Sequence, residues 1–275
     1  MGYKKYTNEQ EYQIALEFIN GVSSKELMEK YGFKTRKSIT DKVKKFFPED
    51  YKNIIENNKI SRKGYDYSFE KINNNFEAYF LGLLLTDGYI SRETDVGIDL
   101  TDEDCIKFLS ETIGKPYKAY PGRENEQIRY RLILTLGKNK IQQAERLGLV
   151  PNKSKILQPP HFYPEEEKFI PYFIRGIIDG DGCINKASGN TWYCSIISAS
   201  KDFIYFIKDI LENKIYLSDV HIYENNGYFT AYTAKRSNLL KIAQLCYDQP
   251  FGMQRKYELF RQTFRDYNKG SSIEE

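Results

Sequence analysis

The stretch Ile174-Arg175-Gly176-Ile177-Ile178-Asp179-Gly180-Asp181-Gly182 occurs twice in this chain, first as Phe80-Leu81-Gly82-Leu83-Leu84-Leu85-Thr86-Asp87-Gly88. The last acids of the two copies, Asp87 and Asp181, lie 94 residues apart (181 − 87). The segments after each copy also recur. Alternating segments come first, then an amphipathic helix starting at Asp102 or Lys201. A second hairpin comes next, carrying IRYRLILT (128–135) or YFTAYTA (228–234), and then a closing helix, NKIQQAERLGL (139–149) or SNLLKIAQLCY (237–247). Each copy reads as αββαββα. Duplicated units of this length predict a pseudo-twofold α+β molecule with antiparallel sheets.

The glycines say how the copies meet. Gly82 with Thr86, and Gly176 with Gly180, stand four apart and share a helix face. Small residues there let two helices approach backbone to backbone, so these four are the expected seam. Helices laid side by side along it bring Asp87 and Asp181 together at their carboxyl ends. That end already carries about −0.5 of a charge, and close carboxylates repel. A divalent cation relieves the strain, and hard oxygen ligands suit Mg²⁺. The competing reading is two ordinary Asp-Gly turns ending core helices. Recurrence in matching repeats, each with a seam glycine, favours a site.

On these residues the chain resembles the LAGLIDADG family of homing endonucleases in its single-chain, two-motif form, across roughly residues 71–270. IRGIIDGDG matches the motif closely, and FLGLLLTDG departs at Leu85, which replaces the first acid. The resemblance implies the duplicated endonuclease fold with DNA-binding saddle sheets. It also implies a sequence-specific, Mg²⁺-dependent endonuclease acting as a monomer on double-stranded DNA. Such an enzyme cuts a long asymmetric target across the minor groove and leaves short 3′ overhangs. Asp87 and Asp181 would hold the metal and carry catalysis, with the backbone carbonyls of Thr86 and Gly180. Basic residues near the site would offset the charge that builds on the phosphorane; Lys138 and Lys235, at matching places in the copies, are the expected ones, with Arg236 an alternate for Lys235. A free-standing or intron-encoded element is the expected setting. Two rivals share the fold: a non-cleaving DNA-binding transcriptional regulator and an RNA-splicing maturase. A pure binder has no need of both aspartates.

The strands are expected to read DNA. Gln127, Arg129, Arg131 and Thr135 alternate with Ile128, Tyr130, Leu132 and Leu134, the pattern of a half-buried strand with a basic outer face. In the second copy Asn225-Asn226-Gly227 marks a hairpin turn, after which Tyr228, Thr230 and Tyr232 share the outward face. Arg92 and Lys186, in the first hairpins, are further expected contacts. Gly88 to Asp102 spans 14 residues, whereas Gly182 to Asp202 spans 20. The shorter first hairpin predicts fewer contacts on that side.

Residues 1–47 read as a helix-turn-helix-like unit. Asn8–Asn20 carries Tyr12, Ala15, Leu16 and Ile19 at helical spacing, followed by Gly21. A second helix, capped by Ser23 or Ser24, ends at Gly32. A third runs from Thr35 to Phe47 before Pro48. Between Lys34 and Lys45 six bases face one acid, Asp41. Arg36, Lys37, Ser38 and Lys42 are the expected DNA contacts, against the alternative of a solvated basic face. Residues 48–70 read as a linker, and the repeats as 71–165 and 166–275.

Composition agrees with an intracellular globular protein. Of 275 residues, 40% are hydrophobic and 15% aromatic, enough for a buried core. No apolar run nears the roughly 18 residues that span a bilayer, and the amino terminus has no signal-peptide core. Four cysteines form no CxxC pair and read as reduced thiols. Two separate histidines, His161 and His221, exclude a nuclease built on several histidines. The net charge of +3 says little by itself.

Overall fold

The computed structural model describes residues 6–20, 22, 24–52, 69–121, 127–151, 153, 156–187 and 191–269. Gly21, Ser23 and the stretch 53–68, which holds most of the expected linker, lie outside them. The chain forms two compact units, 1–64 and 65–275.

In the first unit, α1 (Asn8–Ile19), α2 (Ser24–Tyr31) and α3 (Lys37–Phe46) surround Ile14, Leu27 and Ile39. Thr7 and Gln10 close a capping box at the start of α1. Gly32, at φ +73, ends α2 in the left-handed region that glycine tolerates. Ile14, not Tyr12, fills the core position of α1, and Tyr12 instead lies exposed against Phe46 and Phe47. The third helix starts two residues later than its polar run suggests, because Thr35 and Arg36 make the turn that enters it.

The second unit is built twice over. Its first half runs α4 (Asn75–Thr86), β1 (Gly88–Ser91), β2 (Asp95–Leu100), α5 (Glu103–Ile113), β3 (Lys118–Tyr120), β4 (Arg129–Thr135) and α6 (Lys138–Ala144). Its second half runs α7 (Ile170–Asp181), β5 (Gly182–Lys186), β6 (Trp192–Ser198), α8 (Lys201–Asn213), β7 (His221–Asn225), β8 (Tyr228–Thr233) and α9 (Arg236–Leu245). Two four-stranded antiparallel sheets result, ordered β1-β2-β4-β3 and β5-β6-β8-β7. This is the duplicated αββαββα fold. The first hairpin is indeed the shorter, with strands of 4 and 6 residues against 5 and 7. A last helix, α10 (Gln254–Lys269), extends the second half beyond the expected closing helix.

The motif helices α4 and α7 lie at the centre. Every residue of α4 from Glu77 to Leu85 is buried, as befits a helix apolar on all sides. Asn74 caps it, accepting from the Glu77 N–H at 2.9 Å. A Cβ on Gly82 would stand 2.8 Å from the Ile177 nitrogen and 2.9 Å from Gly176 Cα. A Cβ on Gly176 would stand 2.9 Å from Gly82 Cα. The helices thus touch backbone to backbone, an approach no larger residue permits. The halves are also tied by Glu166, a buried carboxylate that accepts from the Ile72 N–H at 2.8 Å and from Arg146 at 3.2 Å.

Candidate active site

Each motif helix ends at an aspartate. Asp87 caps α4, its N–H donating to Leu83 at 2.9 Å, and Asp181 is the last residue of α7. The seam carries these ends to the same place. A Cβ on Gly180 would stand 2.8 Å from Asp87 Oδ2 and would overlap the Thr86 side chain. Burial first, and the neighbouring Asp181 charge second, raise the Asp87 carboxyl to about 6. Asp181 keeps a solvent-exposed face. Protein crowds its other sides, however, and the lost hydration raises its carboxyl too.

Two buried lysines offset this charge. Lys153 Nζ donates to the carbonyls of Thr86 at 3.2 Å and Gly88 at 2.5 Å. Lys256 Nζ donates to Ile178 and Asp179 at 2.6 Å, Gly182 at 2.7 Å and Gly180 at 3.4 Å. Each ammonium therefore sits on the electronegative end of one motif helix, and both favour ionised aspartates. Burial in turn holds both lysines below the usual range. An equivalent step precedes each, Leu147-Gly148-Leu149 before Lys153 and Phe251-Gly252-Met253 before Lys256, which lies in the first turn of α10. Both glycines are left-handed, at φ +78 and +71. This repeated hydrophobic-Gly-hydrophobic step is the sequence signal for the lysines, and motif-centred reading misses it.

The departure at Leu85 lies away from the carboxylates. Leu85 is buried and packs 3.5 Å from where a Cβ on Gly148 would stand. Its counterpart Asp179 faces Gly252 in the same way, 3.1 Å from that glycine's would-be Cβ. Asp179 accepts from Tyr79 Oη at 2.8 Å, Tyr247 Oη at 2.7 Å and the Met253 N–H at 3.2 Å. The sixth motif residue thus anchors the step before the lysine, by apolar packing in one half and hydrogen bonds in the other.

The structure places Lys138 and Lys235 in other ion pairs. Lys138 pairs with Glu93 at 2.7 Å, and Lys235 with Ser218 at 2.8 Å and Asp219 at 2.7 Å. Both are held by nearby acids on the surface, while the cations acting on the aspartates are Lys153 and Lys256. Arg236 lies over the Tyr267 ring.

Of the expected DNA contacts, Gln127 and Arg129 are exposed, and Arg129 and Arg131 share the outer face of the first sheet. Tyr228, Thr230 and Tyr232 share that of the second, Tyr232 stacked on Tyr193 at 5.6 Å. Arg92 is exposed in the β1–β2 turn. Lys186 turns instead to Asp266 at 2.7 Å and the Trp192 ring, so its charge is already paired. In the first unit Arg36 and Lys37 are exposed and Ser38 is half-buried at the start of α3. Lys42 folds inward over Phe33 and reaches Glu11 at 3.3 Å, which removes it from the outer face of α3.

Among the described residues no cluster of three or more His, Cys, Asp or Glu side chains could hold a metal. Two crowded carboxylates of raised pKa, flanked by the Thr86 and Gly180 carbonyls, supply only hard oxygens and fit a hard divalent ion. Residues 168–247 match the family described as the LAGLIDADG-like domain. The match falls within the second repeat.

Solved structures of LAGLIDADG proteins align with part of this chain. Full-length DUF199/WhiA from Thermatoga maritima is 12% identical, with a TM-score of 0.48 over 76% of this chain. The chain spans 66% of that protein, just under two thirds of its length. The LAGLIDADG meganuclease I-AabMI bound to uncleaved DNA is 10% identical, with a TM-score of 0.47 over 73% of this chain and 92% of that one. The I-SmaMI LAGLIDADG homing endonuclease bound to cleaved DNA is 10% identical, with a TM-score of 0.45 over 74% and 93%. No curated protein matches by sequence. No described helix is long and apolar enough to cross a membrane.

Proposed function

We propose that this protein is a sequence-specific, Mg²⁺-dependent double-strand DNA endonuclease of the homing type. One observation carries the reading: two aspartates from pseudo-symmetric helices meet where folding gains nothing from their charge. Asp87 and Asp181 would hold Mg²⁺, with the Thr86 and Gly180 carbonyls beside them. When bound, the ion supplies Lewis-acid polarisation of the phosphodiester and acidifies water. The chain's own residues do the rest. Lys153 and Lys256 keep the aspartates ionised and offset the charge of an entering phosphate. The glycine seam fixes the spacing of the pair, so that each half serves one strand. The outer faces bearing Arg129 and Arg131, and Tyr228, Thr230 and Tyr232, would lie on the DNA, and their unlike chemistry suits an asymmetric target. Arg36, Lys37 and Ser38 of the first unit would lengthen the footprint.

A second reading, a DNA-binding regulator that does not cut, draws on the same lysines. The Thr86 and Gly180 carbonyls already accept hydrogen bonds from ammonium groups, which supply part of the charge a metal would bring. Incubation of a randomised duplex library with Mg²⁺ separates the two readings. We expect double-strand cleavage by the wild type and its loss in Asp87→Asn or Asp181→Asn, with DNA binding kept. Binding without cleavage of any sequence would favour the regulator.

A further inference from the structure

The two outer sheet faces, superimposed through their strand registers, differ in kind in one cross-strand row. In the first sheet Asp99 pairs with Arg131, and Arg131 pairs with Lys118. In the second sheet the same register places Ile197 opposite Thr230, and Thr230 opposite Tyr223. One half therefore presents a charged row where the other presents an apolar, a hydroxyl and an aromatic side chain.

The charged row is built rather than merely exposed. Arg131 Nε donates to Asp99 Oδ1 at 2.7 Å and Nη2 donates to Oδ2 at 2.6 Å. The guanidinium lies 4.7 Å from the Tyr120 ring centre and 5.9 Å from that of Tyr89. Tyr89 Oη approaches Asp99 at 3.5 Å. Tyr89 reaches that far because residue 97 is glycine. A Cβ there would stand 2.7 Å from Tyr89 Cε2. Side chains and a glycine from neighbouring strands of one sheet thus hold a single arginine in place.

This arrangement leaves a defined set of donors. A guanidinium carries five N–H groups. Asp99 takes the Nε–H and one Nη2–H, so Nη1 and the second Nη2–H form the remaining edge. Arg131 makes no other hydrogen bond among the described residues. Two parallel N–H groups on one edge match the O6 and N7 acceptors of guanine in the major groove. Adenine presents an amino donor in place of O6 and would oppose the fork. The side chain is already ordered, so binding need not order it.

We propose that Arg131, oriented by Asp99 and clamped on Tyr120, reads a guanine in one half of the bound DNA, and that the other half has no equivalent guanine reader because Thr230 and Ile197 occupy the matching places. This rests on the reading of the protein as a sequence-specific DNA binder. Arg131 is the reading residue and Asp99 a positioning residue. Ile197 instead offers apolar surface of the kind that suits a thymine methyl.

The test is selection of bound duplexes from a randomised library by the full chain in chelator, so that nothing is cut. Arg131→Lys and Asp99→Ala are run alongside, with melting temperatures to confirm the fold. In the wild type one guanine should dominate a position in one half-site only. Arg131→Lys keeps the charge and loses the fork. It should cut that preference by roughly 5- to 150-fold, the range one bidentate pair supports, with affinity for random DNA and its salt dependence unchanged. Asp99→Ala should weaken the same preference while overall affinity holds or rises. A guanine preference that survives Arg131→Lys, or a loss of affinity equal for all sequences, would overturn the inference and leave the nuclease reading standing. A wild type that selects no sequence would remove the underlying reading itself.

Discussion

Asp87 pays for its position with stability, and this makes the site testable without a substrate. Its folded carboxyl titrates at about 6 against an ordinary 3.8. Between those values the folded chain keeps a proton that the unfolded chain has lost. Stability therefore falls as pH rises from about 4 to 6, and the deficit persists above it. Asp87→Asn should accordingly raise the stability of the metal-free protein at pH 7.5, by about 1–2 kcal/mol after discounting for partial exposure. Denaturant unfolding checks this, and an unchanged or lower midpoint would mean that the carboxylate is satisfied where it lies. Lys256 acts in the opposite sense. Lys256→Met removes the donor shared by four carbonyls and a cation that favours ionised Asp87. The expected result is a loss of about 1–3 kcal/mol and an acidic limb of the cleavage–pH profile moved to higher pH. A limb that stays in place would confine Lys256 to a structural role. Neither lysine is legible in the sequence as a partner of the aspartates. Lys153 stands 66 residues after Asp87 (153 − 87) and Lys256 stands 75 after Asp181 (256 − 181). No local periodicity reaches across such distances.

The seam of α4 and α7 is the element on which the site depends. Gly176 has Gly82 Cα and the Leu83 nitrogen on its far side, both backbone and neither able to rotate away. Gly176→Ala should cost at least about 3 kcal/mol, at the upper end of overpacking penalties. Gly114→Ala is the control. Gly114 is left-handed at φ +70 with nothing within 4 Å of its would-be Cβ, so only backbone strain of about 1 kcal/mol opposes the change. Chemical denaturation of both variants distinguishes them, and equal losses would argue against close helix contact. This part of the fold is open to reading because small residues four apart mark a helix face, and because the face recurs. Strand alternation likewise places Leu132 and Leu134 inward, and both are buried. The helix α10 is not foreseeable in the same way, since its basic and aromatic residues carry no motif, although it delivers Lys256.

Across the whole chain, two units have separate cores, one around Ile14, Leu27 and Ile39 and one spanning both repeats. On the proposed reading, the chemistry and the additional DNA contacts would therefore fall in different units. Removing residues 1–64 should weaken DNA affinity and lower its salt dependence by about 0.9 in log–log slope for each phosphate that the first unit would have neutralised. Cleavage at saturating protein should persist. A truncated protein that binds DNA yet cuts nothing would show that the first unit belongs to the catalytic machinery.

Repetition of a nine-residue motif, with the segments that recur after it, is enough to predict the duplicated αββαββα plan, the glycine seam and the convergence of two aspartates. All of these come from periodicities of two or about four residues and from copying. Which charges are free is a tertiary matter. Lys42 is held by Glu11, Lys186 by Asp266, Lys138 by Glu93 and Lys235 by Asp219. Each ion pair joins separate elements or turns. Charge acts through space over a few ångströms, whereas sequence records only order along the chain, so the partners of these lysines emerge only when the strands and helices are packed.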